Sequence, residues 1–351
     1  MRKAISLLVP FAALGAGACM TSNDSPPAAA AAASETAYPA IGTVHRDDPA
    51  LDALIAPGAR IERLAEGLRW AEGPVWVREG RHLLLSDVPA NKIYRWSEAD
   101  GFGVWMDPSG HDGSVPGKFR EPGTNGLIRE AAGTILAADH GSRAVVRIDL
   151  ETKRKTILAS RYQGKRFNSP NDLVLASDGT VYFTDPPYGL EGMDASPDKE
   201  QPVNGVYRLH RDGRVDLVVS DLSFPNGVIL SPDEKRLYVA VSDPKRAVVM
   251  VYDRAADGSL SRGRVFADMT ALAASGLPGL PDGMAVDTAG NLFTTGPGGV
   301  HVFNPAGKRL GRIDTGVPIA NCAFGEDGRT LFLASNNWLA RVRTRTLGAR
   351  Y

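Results

Sequence analysis

The sequence predicts an all-β protein built as a six-bladed β-propeller. Two regularities support this fold class: a pair of short strands occurs six times, and a short apolar stretch headed by a polar residue precedes each pair. Helical periodicity is almost absent and Gly-rich turns separate the strands, as expected for a closed array of β-sheets. The repeats have the length of a four-stranded blade, roughly 40–55 residues.

Residues 1–18 have the features of an export signal. A basic pair precedes an apolar run, residues 4–18, that is too short to span a bilayer and ends in small residues. The run leads to Cys19 in a segment that resembles a bacterial lipobox, with Ala16 where Leu is usual. We therefore expect an exported, periplasmic protein that is anchored to the outer membrane by a lipid on Cys19. Ordinary cleavage and release is the alternative.

Residues 19–44 are predicted to form a flexible tether, because they contain Ser, Pro and a run of Ala without hydrophobic periodicity. Residues 45–351 then form one domain with a large core. The formal charges balance, with 40 Lys and Arg against 40 Asp and Glu, and no basic cluster occurs, which argues against a nucleic-acid partner. Cys322 is the only cysteine besides Cys19, so we expect no disulfide if Cys19 is used in processing.

The strand pairs provide the blades. The first strand of each pair follows a turn, at His82–Ser86, Thr134–Ala138, Thr180–Thr184, Arg236–Val241, Asn291–Thr295 and Thr330–Ser335. Its partner comes after a loop, at Lys92–Trp96, Ala144–Asp149, Gly205–Leu209, Val248–Tyr252, Gly299–Phe303 and Leu339–Arg343. Residues near Ala59–Ala65 are expected to add the outer strand that closes the ring with the last blade.

A polar residue heads the innermost strand of every predicted blade. These six residues are Glu72, Asn125, Asn171, Asn226, Asp282 and Asn321. In the first five repeats the residue eight places later lies in the next turn, so the polar residues share one position in the repeat. Inner strands line the central channel of a propeller, so the six side chains should converge at one end of it. The alternative, that Asn or Asp before Gly only forms a turn, fits Asn125 and Asn321 best.

A ring of carboxylate and amide oxygens without His or Cys is suited to a hard cation. Glu72 and Asp282 bring two negative charges, while Asn171 and Asn226 add neutral oxygens and leave positions for water and substrate. We expect one divalent metal ion, calcium first, with magnesium, manganese or zinc as alternatives.

Five motifs resemble the family of gluconolactonase, regucalcin (senescence marker protein) and luciferin-regenerating enzyme. They are Ala71-Glu-Gly-Pro-Val-Trp76, Ser169-Pro-Asn-Asp-Leu173, Phe183-Thr-Asp-Pro-Pro-Tyr-Gly189, Phe224-Pro-Asn-Gly227 and Pro281-Asp-Gly-Met284. The motifs occur in the family's order from about residue 60 to the C-terminus. The resemblance is closest to bacterial gluconolactonases, particularly at residues 124–127 and 139–141.

The resemblance implies a six-bladed propeller whose metal ion is held by Glu72, Asn226 and Asp282. It implies that Asn171 contacts metal or substrate and that Asp282 also serves as the base. One departure concerns the Arg-Phe-Asn-Asp-Gly segment of animal regucalcins, which here begins with Ser169. The sugar-contacting Arg of that segment is therefore absent, and the substrate preference of the animal proteins does not carry over.

We predict hydrolysis of a sugar lactone such as gluconolactone, in which the metal polarises the carbonyl and Asp282 accepts a proton from the attacking water. Asp282 and Asn171 are the predicted catalytic residues. Asn125, His140 and Tyr188 are predicted to contact the substrate. His140 could instead lie on the surface, and Tyr188 could simply pack its loop. Three long segments, 106–124, 161–170 and 189–204, are predicted to form a lid on the same side.

Two other functions fit the same fold. The first is a calcium-dependent phosphotriesterase or aryl esterase, whose apolar substrates would require an aromatic pocket. The second is a binding propeller without hydrolytic activity. The complete set of carboxylates and amides favours hydrolysis over binding alone.

Overall fold

The structure is a computed structural model, and it describes residues 38–350. The predicted export signal, Cys19 and the tether up to residue 37 lie outside the described residues. None of the helices within residues 38–350 has the length and apolar character that crossing a bilayer requires.

Six antiparallel sheets of four or five strands form a six-bladed propeller, which confirms the predicted fold class. The inner strands are Ala71–Val77, Thr124–Ala131, Leu173–Leu175, Pro225–Leu230, Met284–Val286 and Asn321–Gly325. The second strands are His82–Asp87, Thr134–Asp139, Val181–Asp185, Arg236–Asp243, Leu292–Gly296 and Thr330–Ser335. We number the blades 1 to 6 in this order.

The outer half of each blade completes the sheet. The third strands are Lys92–Ser97, Ala144–Asp149, Gly205–Leu209, Arg246–Asp253, Gly299–Phe303 and Trp338–Arg343. The fourth strands are Gly101–Met106, Lys155–Ala159, Val215–Val219, Arg264–Asp268, Arg309–Asp314 and, in blade 6, Ile61–Glu66. The other elements are a hairpin of Arg161–Tyr162 with Lys165–Arg166, a helix at Thr270–Ala274, and 3₁₀ turns at Pro49–Ala53 and Met193–Ala195.

The two ends of the propeller domain meet in blade 6. Ile61–Glu66 pairs antiparallel with Trp338–Arg343, so an early strand joins three late strands in one sheet, as predicted for the closing strand. On the boundary between blades 6 and 1, Trp76 stacks on Phe332 with ring centroids 5.8 Å apart. Aromatic pairs of this kind add to the stability provided by apolar burial. The ring is therefore closed by a hydrogen-bonded ladder and by aromatic packing.

Strand pairing begins at Ala40, before the predicted domain start at residue 45. Ala40–Ile41 pairs with Ile61–Glu66, and Thr43–Arg46 pairs with Arg309–Asp314 at the edge of blade 5. These short strands lie on the outer rim, where most of their side chains are exposed. Edge strands with so little apolar surface carry no hydrophobic periodicity, which is why the sequence did not indicate them.

Burial falls from the second strand to the fourth strand of a blade. Every residue of Thr330–Ser335 is buried, because neighbouring blades cover both faces of the strand. In contrast, Gly101–Met106 is mostly exposed or half-buried. The blades thus bring their buried inner halves, and the polar residues that begin the inner strands, to the central axis.

Candidate active site

The six polar residues at the heads of the inner strands surround one end of the channel and interact across blade boundaries. The amide nitrogen of Asn125 donates to the amide oxygen of Asn171 at 2.7 Å, and Asn171 donates in turn to the oxygen of Asn226. Asn321 donates to Glu72 Oε2 at 3.1 Å. The structure therefore brings together residues of successive repeats and, at the closure of the ring, residues of the first and last repeats, as predicted from their common position.

Glycines beside the ring residues permit this close approach. A Cβ atom added to Gly227 would lie 2.1 Å from the carbonyl oxygen of Asp282 in the next blade. Gly73, at φ +50, would bring a Cβ within 2.1 Å of the carbonyl oxygen of Asn125. Both glycines also lie at bulges where the inner strand shifts register against the second strand, and bulges redirect side chains. The Asn-Gly and Glu-Gly pairs thus serve packing around the channel as well as local turn geometry.

The two carboxylates of the ring lie close enough for their charges to interact. Glu72 is 2% exposed and accepts hydrogen bonds from its neighbour Gly73 and from Asn321. Burial raises the pKa of Glu72, and the charge of Asp172 raises it further, while the bond from Asn321 opposes this. Burial also raises the pKa of Asp282 well above its usual range, and the charges of Glu72 and Asp172 add to the shift. Neither carboxylate has a Lys or Arg partner within residues 38–350.

Asp172 is a third carboxylate at the ring, which sequence reasoning did not single out. Its two oxygens accept the backbone N–H groups of Leu173 at 2.9 Å and Val228 at 3.1 Å, so it joins blades 3 and 4. Burial raises the pKa of Asp172 to about 6, although the two backbone bonds lower it. Its position directly after Asn171, in a segment of buried residues, was the signal that could have identified it.

His140 is buried beside the ring and has no exposed surface. Its Nε2 atom lies 3.2 Å from the amide oxygen of Asn171, and its Nδ1 atom lies 3.8 Å from Glu121 Oε2. Burial lowers the pKa of His140 to about 4, so its imidazole is neutral at pH 7. These observations exclude the surface alternative for His140. The structure places it against Asn171, and its predicted contact with substrate stays a prediction.

Tyr188 both packs its loop and faces the ring. Its aromatic ring stacks on Phe224 with centroids 6.0 Å apart. Its hydroxyl is buried near the Ser242 side chain and makes no hydrogen bond of good geometry to residues 38–350. Burial raises the pKa of the hydroxyl, and the charge of Asp282 raises it further, so Tyr188 is a neutral hydrogen-bond donor. The predicted substrate contact therefore has an unused polar group available.

Arg120 and Glu121 lie at the entrance to the ring, and sequence reasoning assigned neither of them to the site. Their side chains form an ion pair, and the Arg120 Nε atom donates to the carbonyl oxygen of Tyr188 at 3.2 Å. Burial raises the pKa of Glu121, while the charge of Arg120 opposes the shift. The Arg120 side chain is 48% exposed, so its guanidinium remains accessible to a polar ligand.

The three predicted lid segments contact one another on this side of the propeller. The backbone of Arg120 donates to the carbonyl oxygen of Gly189 at 3.0 Å, which joins segment 106–124 to segment 189–204. Gln201 donates to the carbonyl oxygen of Lys165 at 2.9 Å, which joins the latter to segment 161–170. The segments that bring Arg120 and Glu121 to His140 and Tyr188 are thus linked into one covering layer.

A cavity of about 380 Å³ occupies the channel below the ring. Its walls are mainly apolar and include Val75, Leu127 and Met284, with Asp172 at one end and Arg350 at the other. Asn171, Asn226, His140 and Tyr188 do not line it. We therefore assign substrate access to the side of the lid segments, where the polar groups converge, and regard the cavity as the interior of the channel.

The donor set fits a hard divalent cation. No three side chains of the His, Cys, Asp and Glu types cluster as a metal site within residues 38–350. Buried Glu72 and half-buried Asp282 nevertheless supply two carboxylates without a Lys or Arg partner in the part of the chain that the structure describes, and amide oxygens lie beside them. Such oxygen ligands suit calcium or magnesium. The Asn171 oxygen already accepts from Asn125 and His140, which suits it to positioning Asn226 better than to direct ligation.

The family model described as the SMP-30/gluconolactonase/LRE-like region matches residues 70–337. Gluconolactonase of Zymomonas mobilis is 44% identical over 347 residues, which cover 98% of this chain and 96% of that protein. Pentonolactonase XacC of Haloferax volcanii is 25% identical over 260 residues, covering 73% of this chain and 78% of that protein.

Solved structures agree with this relationship. A gluconolactonase from Xanthomonas campestris has 33% sequence identity and a TM-score of 0.74, covering 88% of this chain and 98% of that one. A calcium-binding protein, regucalcin, from Agrobacterium tumefaciens has 19% identity and a TM-score of 0.62, covering 81% of this chain and 94% of that one. At this lower identity the likeness shows the shared fold.

Proposed function

The chain belongs to the SMP-30/gluconolactonase/LRE-like family, and on that premise we propose that it is a lactonase that opens a sugar lactone such as gluconolactone. The near full-length similarity to a gluconolactonase supports this reaction class. The observation that carries the proposal is the ring itself. Buried Glu72 and half-buried Asp282 have no Lys or Arg partner within residues 38–350, and they lie next to amides that are oriented by hydrogen bonds.

Glu72, Asp282 and Asn226 are the residues that would hold one divalent ion, calcium first. When bound, the ion supplies a positive charge that polarises the lactone carbonyl. The ion would also offset the repulsion between the two carboxylates, which otherwise raises the pKa of Asp282. Asn171 binds the Asn226 amide and keeps it in place at the ring.

Asp282 is the proposed base. A carboxylate whose pKa is raised by burial accepts a proton from water more readily than an exposed one. Asn125 and Tyr188 complete the proposed substrate contacts, because each has a buried polar atom that makes no hydrogen bond of good geometry to residues 38–350. The Asn125 oxygen would accept from a substrate hydroxyl, and the Tyr188 hydroxyl would donate to a substrate oxygen.

The polar entrance favours a hydroxylated lactone over an aryl ester or phosphotriester. The entrance carries the side chains of Arg120, Glu121 and Asn125. The aromatic surface beside them is the stacked pair of Tyr188 and Phe224. A sugar lactone offers several hydroxyls to such groups, whereas an apolar ester would leave them without partners.

The decisive experiment measures gluconolactone hydrolysis against calcium concentration after chelation, for the wild type and three variants. Glu72→Gln and Asn226→Ala should bind metal more weakly, and excess metal should partly restore their turnover. Asp282→Asn should stay slow at saturating metal if Asp282 is also the base. Circular dichroism in chelator serves as the folding control, because apolar strands hold the blades together. Wild-type activity that survives exhaustive chelation would refute the metal mechanism, and full rescue of Asp282→Asn would refute its role as base.

A further inference from the structure

A row of hydroxyl side chains lies directly behind the polar ring. Four second strands carry Ser or Thr as their second-to-last residue: Ser86, Thr184, Ser242 and Thr295. The Ser86 hydroxyl donates to the carbonyl oxygen of Asn125 at 2.8 Å, and the Thr184 hydroxyl donates to that of Asn226 at 2.6 Å. The Ser242 hydroxyl likewise donates to the carbonyl oxygen of Pro281. These three hydroxyls tie the second strands of blades 1, 3 and 4 to the inner strand of the next blade.

Ser242 differs from Ser86 and Thr184 because it also contacts a ring side chain. The amide nitrogen of Asn226 lies 2.9 Å from the Ser242 oxygen. Ser242 is half-buried, and the Pro281 carbonyl that it binds belongs to the residue before Asp282. This one hydroxyl therefore connects two of the proposed metal ligands.

The donor and acceptor chemistry of Ser242 determines the direction of the amide chain. A carbonyl oxygen can only accept, and a hydroxyl has a single proton to donate. Because that proton goes to Pro281, the Ser242 oxygen can only accept from Asn226, which must turn its NH₂ group toward Ser242. The Asn226 oxygen then faces the opposite way, where it accepts from Asn171.

The same direction continues along the ring. Since Asn171 uses its NH₂ group on Asn226, its oxygen is left to accept from Asn125 at 2.7 Å and from His140 at 3.2 Å. His140 must therefore carry its proton on Nε2. The chain begins at the free oxygen of Asn125 and ends at the carbonyl of Pro281.

We propose that Ser242 is a positioning residue that orients the Asn226 amide, so that its oxygen rather than its nitrogen is presented for metal binding. After the bond from Asn171, one lone pair of that oxygen remains for a cation. This inference rests on the proposed function in one respect, the assignment of Asn226 as a ligand. The Asp282 carboxylate also interacts with the Asn226 side chain and can only accept, so it favours the same direction of the amide as Ser242.

The test is a calorimetric titration of chelator-treated protein with calcium, for the wild type, Ser242→Ala and Ser242→Thr. Loss of one oriented hydrogen bond should weaken calcium binding by about tenfold in Ser242→Ala. Ser242→Thr keeps the hydroxyl and should bind calcium within about threefold of the wild type. Ser86→Ala is the matched control, because it removes a hydroxyl of the same row that binds only a backbone carbonyl and another hydroxyl. It should lower the melting temperature about as much as Ser242→Ala without changing calcium affinity.

A double variant separates an effect through Asn226 from general damage. If Ser242 acts through the Asn226 amide, Ser242→Ala combined with Asn226→Ala should bind calcium no more weakly than Asn226→Ala alone. Wild-type affinity in Ser242→Ala, or losses that multiply in the double variant, would overturn this inference and leave the proposed function intact. Absence of calcium, magnesium, manganese and zinc binding by the wild type would instead overturn the metal proposal and this inference with it.

Discussion

The amide nitrogen of Asn125 lies 2.7 Å from the amide oxygen of Asn171, and this bond leaves the Asn125 oxygen buried without a protein partner within residues 38–350. A buried polar atom without a hydrogen bond lowers stability, so such atoms often mark a ligand site. Asn125 was predicted to contact the substrate, with a simple turn as the alternative. The free oxygen at the ring supports the predicted contact.

Asn125→Ala should therefore impair recognition of substrate hydroxyls. We expect KM for δ-gluconolactone to rise about tenfold, the equivalent of one hydrogen bond. KM for δ-valerolactone, which has the same ring size and no hydroxyls, should change much less. Steady-state kinetics on both lactones test this, and an equal loss on the two would show that Asn125 only supports Asn171.

Gly227→Ala should disrupt the ring, because the new methyl group would lie 2.1 Å from the carbonyl oxygen of Asp282. Separating two inner strands should lower the free energy of unfolding by about 1–3 kcal/mol, the usual cost of overpacking. Gly103→Ala is the control, since no atom lies within 4 Å of its added methyl group. Urea denaturation should place Gly103→Ala within about 0.5 kcal/mol of the wild type. Equal stability of the two variants would contradict the close approach.

Lys155→Met should destabilise the protein and loosen segment 106–124. Lys155 pairs with buried Asp139 at 3.0 Å and donates to the carbonyl oxygens of Ser109 and Gly110 at 2.9 and 2.7 Å. Removing one partner of a buried ion pair costs about 3–5 kcal/mol. Adding Asp139→Asn should recover part of that loss. The rate of trypsin cleavage after Lys118 or Arg120 measures how accessible segment 106–124 is. An unchanged rate in Lys155→Met would show that other contacts hold the segment.

His301 should contribute to acid destabilisation. It is fully buried, its Nε2 atom lies 2.9 Å from the carbonyl oxygen of Pro297, and burial lowers its pKa from 6.5 to about 4. The native state therefore binds fewer protons than the unfolded chain between these values, so stability falls as the pH drops from 6.5 toward 4. At pH 4.5 this amounts to up to about 2–3 kcal/mol.

His301→Gln retains a hydrogen-bond donor but does not titrate. Its loss of unfolding free energy between pH 7.5 and 4.5 should be smaller than that of the wild type, whatever its stability at neutral pH. Urea denaturation at the two pH values measures the difference. Identical losses would assign the acid sensitivity to other groups.

The protein recovered from a bacterial host should begin at Cys19 and carry a lipid, because the segment before Cys19 resembles a lipobox. Mass spectrometry of the N-terminus and membrane fractionation test this. Cys19→Ala should abolish the lipid. A soluble product with a different, unmodified N-terminus would leave export in place and refute the anchor.

Sequence pattern alone determined the six blades, because the second and third strands are buried and turn residues separate them. His82–Ser86 and Ala144–Asp149, for example, match strands of the structure to within one residue. The fourth strands were not recognised in blades 1–5, since exposed rim strands such as Gly101–Met106 have no strong apolar pattern. The shared position of Glu72, Asn171 and Asp282 in the repeat was also sufficient to predict that they meet.

Only the tertiary structure decided which side chains complete the site. Asp172, Glu121 and Ser242 reach it through contacts between blades or from a long loop, and no local pattern encodes those contacts. The burial of His140 likewise depends on the lid segments that cover it. The direction of the amide chain follows from contacts of Asn226 with Ser242 and Asp282, which belong to two neighbouring blades. Repeat periodicity specifies where a strand begins, whereas closure of the propeller determines what each side chain at that position can bind.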